Sequence, residues 1–491
     1  MNNVISRHMI SDNFVGLPLH KGQQYSKNDL ISKIDLWKYI LKYKCSAQAG
    51  ESILIGMQIL NIDYLAVCFA AAELSLKVVI VDYTRNDDFK DLTYYDPKTK
   101  ILSPIDIFLH DFSKEEFVEH PKALSKFTFF SNCSNRTYSI YNDIDFTVSD
   151  AEQFDIAKNI FPSPTDIVMR CTSSGTTGTP KIVEHTHEFI YKVSVRNSKK
   201  FSGQCLHIRN LNHGSSLAVY LLPTLISDKV SSHIFYDLGS KDTVDSINDI
   251  EPFEKFIRDF ENFYNTLEYV IFPYPFMIDE FIDASIRNNI KWPNLNVQTL
   301  SYIQDKPKQA IRNGIIKSIT SIFGSNETSG PVFIAYIDKH RITQDSSLFD
   351  YIDDFYGIKI YDTGLLGVKM PVYNSEIVTN DLFKQQDNFY QHRGRSDLVK
   401  INGEVLDIKL VNDLNGANTS AYIVTDTIKN CLYLAFWHSK DIDLEIEYSN
   451  FFNKNFDRVQ IEKTAVLNKN KFLTGIKIDN ELLREYFRNH V

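Results

Sequence analysis

Apolar residues recur at helical spacing from Asn28 to Tyr43 and from Leu60 to Leu74, and a short β-rich run follows each, Ser52 to Met57 and Val78 to Val81. A spacing of about 3.6 giving way to a short apolar run predicts helices that alternate with buried strands. Carried through the first third of the chain, this alternation predicts α/β layers around a largely parallel sheet. The most membrane-like stretch, Leu65 to Val81, contains Glu73 and Lys77 and is read as a buried helix running into a strand. Ile167, Val168 and Met169 give a further short buried strand, and no internal repeat or low-complexity segment is evident.

Composition narrows the class. At 491 residues the chain exceeds the roughly 250 to 300 at which a single core stops growing, so at least two domains are expected. With 43% apolar residues and no long polar tract, it is expected to be globular throughout. The formal charge is -9, from 53 Lys and Arg against 62 Asp and Glu, and no basic run is long enough for a nucleic-acid stripe. Nucleic acid is therefore not an expected partner. Met1 to Gly16 lacks the apolar core of a secretion signal. Six cysteines (Cys45, Cys68, Cys133, Cys171, Cys205, Cys431) are scattered without a CxxC pair, which predicts neither a zinc site nor a disulfide framework. A soluble, cytoplasmic protein with no membrane span is expected.

The segment richest in chemistry is Ser173, Ser174, Gly175, Thr176, Thr177, Gly178, Thr179, Pro180 and Lys181. Glycines let the backbone turn its N–H groups inward, hydroxyls add donors and the lysine adds a positive charge, a combination suited to phosphate. The spacing of Gly175 and Gly178 fits neither the nucleotide P-loop nor a Rossmann turn. Pro180 disfavours helical geometry at Thr179, so the loop is not expected to run straight into a helix. It follows the strand predicted at Ile167 to Met169, at a carboxyl end where open α/β sheets bind ligands. A Ser/Thr-rich surface turn is the alternative.

Three further groups follow: Phe323-Gly324-Ser325-Asn326-Glu327-Thr328; Thr379-Asn380-Asp381 with Arg393-Gly394-Arg395-Ser396-Asp397; and Leu473-Thr474-Gly475-Ile476-Lys477-Ile478-Asp479. Taken singly, the first reads equally as a common turn, the second as a charged surface turn and Lys477 as a solvated lysine. Their order and spacing after the loop change that reading. Together the four resemble the motifs of the adenylate-forming superfamily, which includes acyl-CoA synthetases, aryl-acid ligases, stand-alone nonribosomal adenylation domains and luciferases. His187, in Glu184-His185-Thr186-His187, matches the histidine that often follows the family's phosphate loop, and Gly50-Glu51 matches its opening turn before a strand.

The resemblance implies an α/β fold, with a large multi-layer N-terminal domain of mostly parallel sheets over residues 1–396 and a small α+β cap over residues 397–491. It implies that the phosphate loop and Lys181 hold the β- and γ-phosphates of ATP. Phe323 with Gly324 would lie against adenine, Glu327 would hold Mg2+, Asp381 would take both ribose hydroxyls and Arg395 would bind near ribose and phosphate. These residue types suit such roles: a flat apolar face for a purine, a hard oxygen for Mg2+, an acceptor-only carboxylate for two hydroxyls and a guanidinium for anionic oxygens. Asp397 falls at the hinge, and Lys477 at the catalytic lysine, with Lys469 and Lys471 as alternatives. Asn326, Asn380 and Ile476 depart from the usual threonine, glycine and glycine.

The reaction implied is adenylation of a carboxylic acid with release of pyrophosphate, then transfer to the thiol of coenzyme A or of a phosphopantetheinyl carrier protein. Gly214 stands where amino-acid-activating relatives place an aspartate, so the acid is expected to lack an α-amino group. His213 resembles the histidine of acyl- and aryl-acid ligases, or is a core or capping histidine. Tyr302, in Ser301-Tyr302-Ile303-Gln304, falls where relatives carry small glycines and would shorten or redirect the acyl channel. Two alternatives stand beside this reading. One is an adenylating enzyme that uses an amine or hydroxyl acceptor or oxidises its adenylate as luciferases do; the other is a nucleotide-binding pseudoenzyme.

Overall fold

Local sequence sets where the first helices begin and end. Ser26 opens the helix Lys27–Tyr39 with a capping box, its hydroxyl accepting from Asp29 N while the Asp29 carboxylate accepts from Ser26 N at 2.7 Å. Leu30, Ile34 and Trp37 on its inner face are fully buried. The helix predicted to reach Tyr43 widens into a π turn at Ile40–Lys44. The strand Ser52–Gly56, the helix Ile62–Glu73 and the strand Lys77–Ile80 fall where the alternation placed them. Gly50 takes φ +86° in the turn that precedes the first of these strands, a conformation that favours glycine.

The helix Ile62–Glu73 is buried nearly all round, which accounts for its membrane-like composition; no described helix is long and apolar enough to cross a membrane. Glu73, the charge that breaks this run, is buried inside an ion-pair network. Its carboxylate accepts from Arg7 Nε (2.9 Å), Arg7 Nη2 (2.7 Å) and Lys38 Nζ (3.0 Å), while Arg7 also reaches Asp35 at 2.6 Å. A carboxylate taken out of water is tolerated only when paired in this way.

The computed structural model describes residues 3–18, 24–56, 62–80, 95–96, 101–102, 105–110, 134–139, 162–173, 181–207, 216–235, 251–260, 263–272, 275–300, 303, 305–343, 348–351, 355–362, 364–373, 376–395, 398–402, 404–407, 411, 414, 420–426, 429–437, 439–456, 458–474, 477–478 and 480–490. Among these, two sheets dominate. The six-stranded sheet runs in the order Lys181–Thr186, Ile167–Ser173, Lys77–Ile80, Ser52–Gly56, Ile105–His110, Ser134–Ser139, with every pairing parallel except the first.

The second sheet has thirteen strands, with the short strand Tyr25–Ser26 at one edge antiparallel to Val15–Pro18. One half is parallel, in the order Val15–Pro18, Val230–Phe235, Gly203–His207, Leu267–Ile271, Trp292–Thr299, Ile316–Phe323. From Phe333–Ile337 onward it continues as antiparallel strands through Leu348–Tyr351, Phe389–Arg395, Glu376–Gln386, Leu365–Lys369 and Gly357–Ile360. Helical crossovers such as Pro275–Arg287 and Asp305–Arg312 serve the parallel half, and short connections serve the rest.

From Leu398 on the chain builds separate layers. The hairpin Leu398–Ile401/Glu404–Asp407 precedes a three-stranded sheet, Ala421–Asp426, Cys431–Phe436 and Ile461–Val466, with the helices Ile442–Asn455 and Asn480–His490. One apolar cluster runs from Ile5 to Phe383, and two others draw only on residues from Ile401 to Phe487. Asp426 is fully buried and takes Arg488 through two bonds, Nε at 2.6 Å and Nη2 at 2.7 Å, which locks the last helix to this sheet. Lys429 Nζ reaches Asp305 Oδ2 at 2.9 Å, on the helix Asp305–Arg312 of the larger part.

Candidate active site

The hydroxyl-rich segment joins two paired strands. Ile167–Ser173 and Lys181–Thr186 are antiparallel, with Ser173 opposite Lys181, so the strand predicted at Ile167 to Met169 extends to the loop itself. The chain returns along the second strand and enters the helix His187–Ser198 only after Thr186, whose hydroxyl caps that helix by accepting from Phe189 N. Ser174, Gly175, Thr176, Thr177 and Gly178 lie outside the described residues, and only the backbones of Ser173 and Lys181 are described.

His185 and His187 divide along this strand end. His187 is fully buried and its Nδ1 accepts from Ile5 N at 3.1 Å, a bond that holds the N-terminal segment to the core. Burial pushes it down to about 4. His185 does something different: its Nε2 donates to the Asn326 carbonyl at 2.6 Å, linking the hairpin to the turn that follows Ile316–Phe323 in the other sheet. Its ring stacks on Phe189 at 4.9 Å, and burial likewise holds it down to about 4, against the upward pull of the Asn326 bond and the Glu327 charge.

The turn from Phe323 to Gly330 is shaped by two glycines and two hydroxyls. A Cβ at Gly324 would run into the Gly330 carbonyl oxygen, and one at Gly330 would meet Val193 and the Tyr356 hydroxyl, so both positions require glycine. Thr328 Oγ1 accepts from Ser325 N at 2.9 Å, and Tyr356 donates to Thr328 O at 2.8 Å. Arg196 donates to Pro331 O at 2.9 Å while its guanidinium covers Phe355 and Tyr356. Glu327 emerges from this frame half-exposed, and its carboxylate takes no hydrogen bond among the described residues. Its charge adds to burial in holding Cys171, on the hairpin, up at about 12. Glu327 and Cys171 are thus near enough for the carboxylate charge to be felt at the hairpin strand Ile167–Ser173.

Phe323 ends its strand half-buried, against Phe383 (4.8 Å between ring centres), His392 (5.2 Å), Phe333 (6.0 Å) and Phe349 (6.2 Å). Phe383 and His392 are cross-strand partners on Glu376–Gln386 and Phe389–Arg395, and two pairs away, past a register shift between Leu382 and Phe383, Asp381 stands opposite Arg395. Asp381 is 9% exposed, its N–H donates to Thr379 Oγ1 at 3.2 Å, and its carboxylate lies 3.4 Å from His392 Nε2. An aromatic face, a carboxylate and the arginine position thus share one end of the antiparallel half of the sheet. Only the backbone of Arg395 is described.

Lys477 lies in the two-residue strand Lys477–Ile478, with Thr474 opposite it, directly before the helix that Asp426 anchors. Its side chain is outside the description, as are Asp397, His213, Gly214 and Tyr302. Lys469 rests over the Trp437 ring at 5.9 Å. Sequence reasoning did not single out His185, His392 or Phe383. Their signal is alternation: exposed Glu184 precedes buried His185, and Phe383 sits at an inward strand position.

The described residues fit nucleotide and metal in their chemistry: a half-exposed hard carboxylate at Glu327 and a near-buried, acceptor-only carboxylate at Asp381. No protein-family model and no curated protein matches this sequence. Solved structures do match in fold. An amide bond synthetase, McbA from Marinactinospora thermotolerans, superposes with a TM-score of 0.62 at 14% identity over 98% of both chains. The anthranilate CoA ligase AuaEII in complex with anthranoyl-AMP gives 0.61 at 11% identity, over 99% of this chain and 97% of that one. The A-PCP unit of McyG complexed with phenylalanyl-adenylate gives 0.57 at 15%, over 97% and 92%. This chain has the fold of the adenylate-forming superfamily.

Proposed function

We propose that this chain is an ATP-dependent acid:thiol ligase. The observation that carries the reading is the His185–Asn326 bond, which draws the phosphate-loop hairpin and the Glu327 turn together beside Phe323. Residues 1–396 would bind ATP and acid, and residues 397–491 would form a mobile cap that turns about Asp397. Glu327 would hold Mg2+, Lys181 and the loop hydroxyls the β- and γ-phosphates, and Asp381 and Arg395 the ribose. Bound Mg2+ would supply positive charge to the phosphate oxygens.

In the first half-reaction a carboxylate oxygen attacks the α-phosphorus, the bond to pyrophosphate breaks and an acyl-adenylate forms. In the second, a thiol sulfur attacks the acyl carbon, loses its proton and displaces AMP. Both steps bring anions together, so positioning and charge neutralisation supply the rate enhancement. Lys477 would bridge the acyl carboxylate and the α-phosphate during adenylation alone. Gly214, at the place of the ammonium-pairing aspartate, favours an acid without an α-amino group.

The test is ATP–pyrophosphate exchange across a panel of carboxylic acids, followed by transfer to coenzyme A, a phosphopantetheinyl carrier or a simple amine. Exchange with aryl or acyl acids and thioester formation are expected. Exchange with α-amino acids alone would reject the substrate class. The likeness to an amide bond synthetase favours amine transfer as the second reading, and amide formation without thioester would establish it.

A further inference from the structure

The bond from His185 crosses between the two large sheets, and its acceptor is held twice. The Asn326 carbonyl takes His185 Nε2 at 2.6 Å and the Ser329 hydroxyl at 3.2 Å. With two donors on one carbonyl, the peptide plane joining Asn326 to Glu327 has a fixed orientation, and so does the start of the Glu327 side chain. His185 is itself clamped. Its ring stacks on Phe189, Phe189 packs on Tyr373 at 5.2 Å, and the Tyr373 hydroxyl accepts from Thr186 N at 2.9 Å. Donation from Nε2 places the ring proton there, and Nδ1 is buried without a hydrogen-bond partner among the described residues.

We infer that His185 is a positioning residue: it fixes the peptide that carries Glu327 against the hairpin strands Ile167–Ser173 and Lys181–Thr186, and so sets where the Glu327 carboxylate would hold Mg2+. This rests on the reading of Glu327 as the Mg2+ carboxylate. His185 touches neither nucleotide nor metal in this role. It acts through the Asn326–Glu327 peptide, and the quantity it controls is the coupling between Mg2+ and ATP binding.

The full chain is titrated with ATP in the presence of Mg2+ and again in EDTA, with binding read by thermal shift and calorimetry, which needs no acid substrate. For the unmodified protein Mg2+ strengthens ATP binding, and Glu327→Gln removes most of that gain. His185→Phe keeps ring shape but removes the donor, and it is expected to cut the Mg2+-dependent gain by about tenfold, the effect of one lost buried hydrogen bond. His185→Gln, whose amide can still donate, retains most of it. Ser329→Ala, which removes the second donor, gives a smaller loss in the same direction and carries the test if His185→Phe does not fold. A His185→Phe protein that loses thermal stability but keeps the full Mg2+ gain overturns the inference while leaving Glu327 as the metal ligand. Retention of the gain in Glu327→Gln overturns the inference together with the reading beneath it.

Discussion

Asp381 and Arg395 stand opposite each other on two antiparallel strands, Glu376–Gln386 and Phe389–Arg395, that are joined by a turn in which Asp387 takes φ 52°. The two residues read together as one motif pair are thus held in one register. A slip of one residue in that pairing would part them and turn the slipped strand's residue to the other face of the sheet.

Asp381→Asn keeps the shape but gives up the charge that would accept two ribose hydroxyls. ATP affinity is expected to fall by about one to two decades, as for loss of a charge-assisted contact of ~1.5 to 3 kcal/mol. Discrimination against 2′-deoxyATP should fall with it, because the hydroxyl being read is the one missing. Calorimetry with both nucleotides measures this; an unchanged preference would move ribose recognition away from Asp381.

Lys477 is expected to serve one half-reaction. Lys477→Ala should abolish adenylate formation yet still convert supplied acyl-adenylate to thioester. Asp397→Pro, which fixes φ near about -65° at the proposed hinge, should spare adenylation and block transfer. Single-turnover assays of each step separate the outcomes. Equal damage to both steps in Lys477→Ala would make it a structural lysine, and full adenylation would move the role to Lys469 or Lys471.

The local elements were legible because their causes are local. Apolar spacing marked the helices Lys27–Tyr39 and Ile62–Glu73 and the strands that follow them, whereas the partners that receive Glu73 lie 35 and 66 positions away. The loop's departure from a helix followed from Pro180, and the strand ahead of it from Ile167 to Met169. The antiparallel return Lys181–Thr186 was not foreseen, since its partner strand lies across a loop with no hairpin turn signal. His187 drew attention as part of a motif, yet the structure gives it a core role and gives His185 the contact with Asn326. Nothing within a few residues of His185 encodes a partner 141 positions away. The aromatic setting of Phe323 was hidden for the same reason, because Phe349, Phe383 and His392 reach it only through sheet pairing.

Buried histidines set an acid limit. Burial pushes three of them down, His185 and His187 to about 4 and His233 to about 3, and with the neighbouring His233 it also holds His207 well below its ordinary value, while the unfolded chain titrates at about 6.5. Between those values the unfolded state binds more protons, so stability is fully present above about pH 6.5 and falls as the pH drops toward 4. Each histidine contributes a slope of up to ~1.4 kcal/mol per pH unit in that window. Denaturant melts from pH 7.5 to 4.5 should show it. His187→Gln, which removes one of them, should flatten the slope.

Asp426 offers a stability test in the C-terminal layers. Removing Arg488 leaves a fully buried carboxylate without its main partner, and Arg488→Ala is expected to cost about 3 to 5 kcal/mol. The helix Asn480–His490 would then loosen, and with it the hairpin that carries Lys477. Hydrogen exchange of that helix, compared with the six-stranded sheet, locates the effect. Uniform loss of protection through the whole chain would argue against a separate cooperative unit.

The pairing of Val15–Pro18 with Val230–Phe235 bears on how the molecule is made. Tyr25–Ser26 can pair with one edge of Val15–Pro18 at once, but its parallel partner exists only when Phe235 has been synthesised, roughly ten to forty seconds later at ~5 to 20 residues per second. During that interval the other edge is open to other chains, the hazard of any unpaired strand edge. Ile5 waits on His187 and Ser11 on Leu225 and Asp228 in the same way. The segment from Ile5 to Pro18 is thus a late closure on its sheet, and a change that delays its docking would act on that final step before it acted on the candidate nucleotide site.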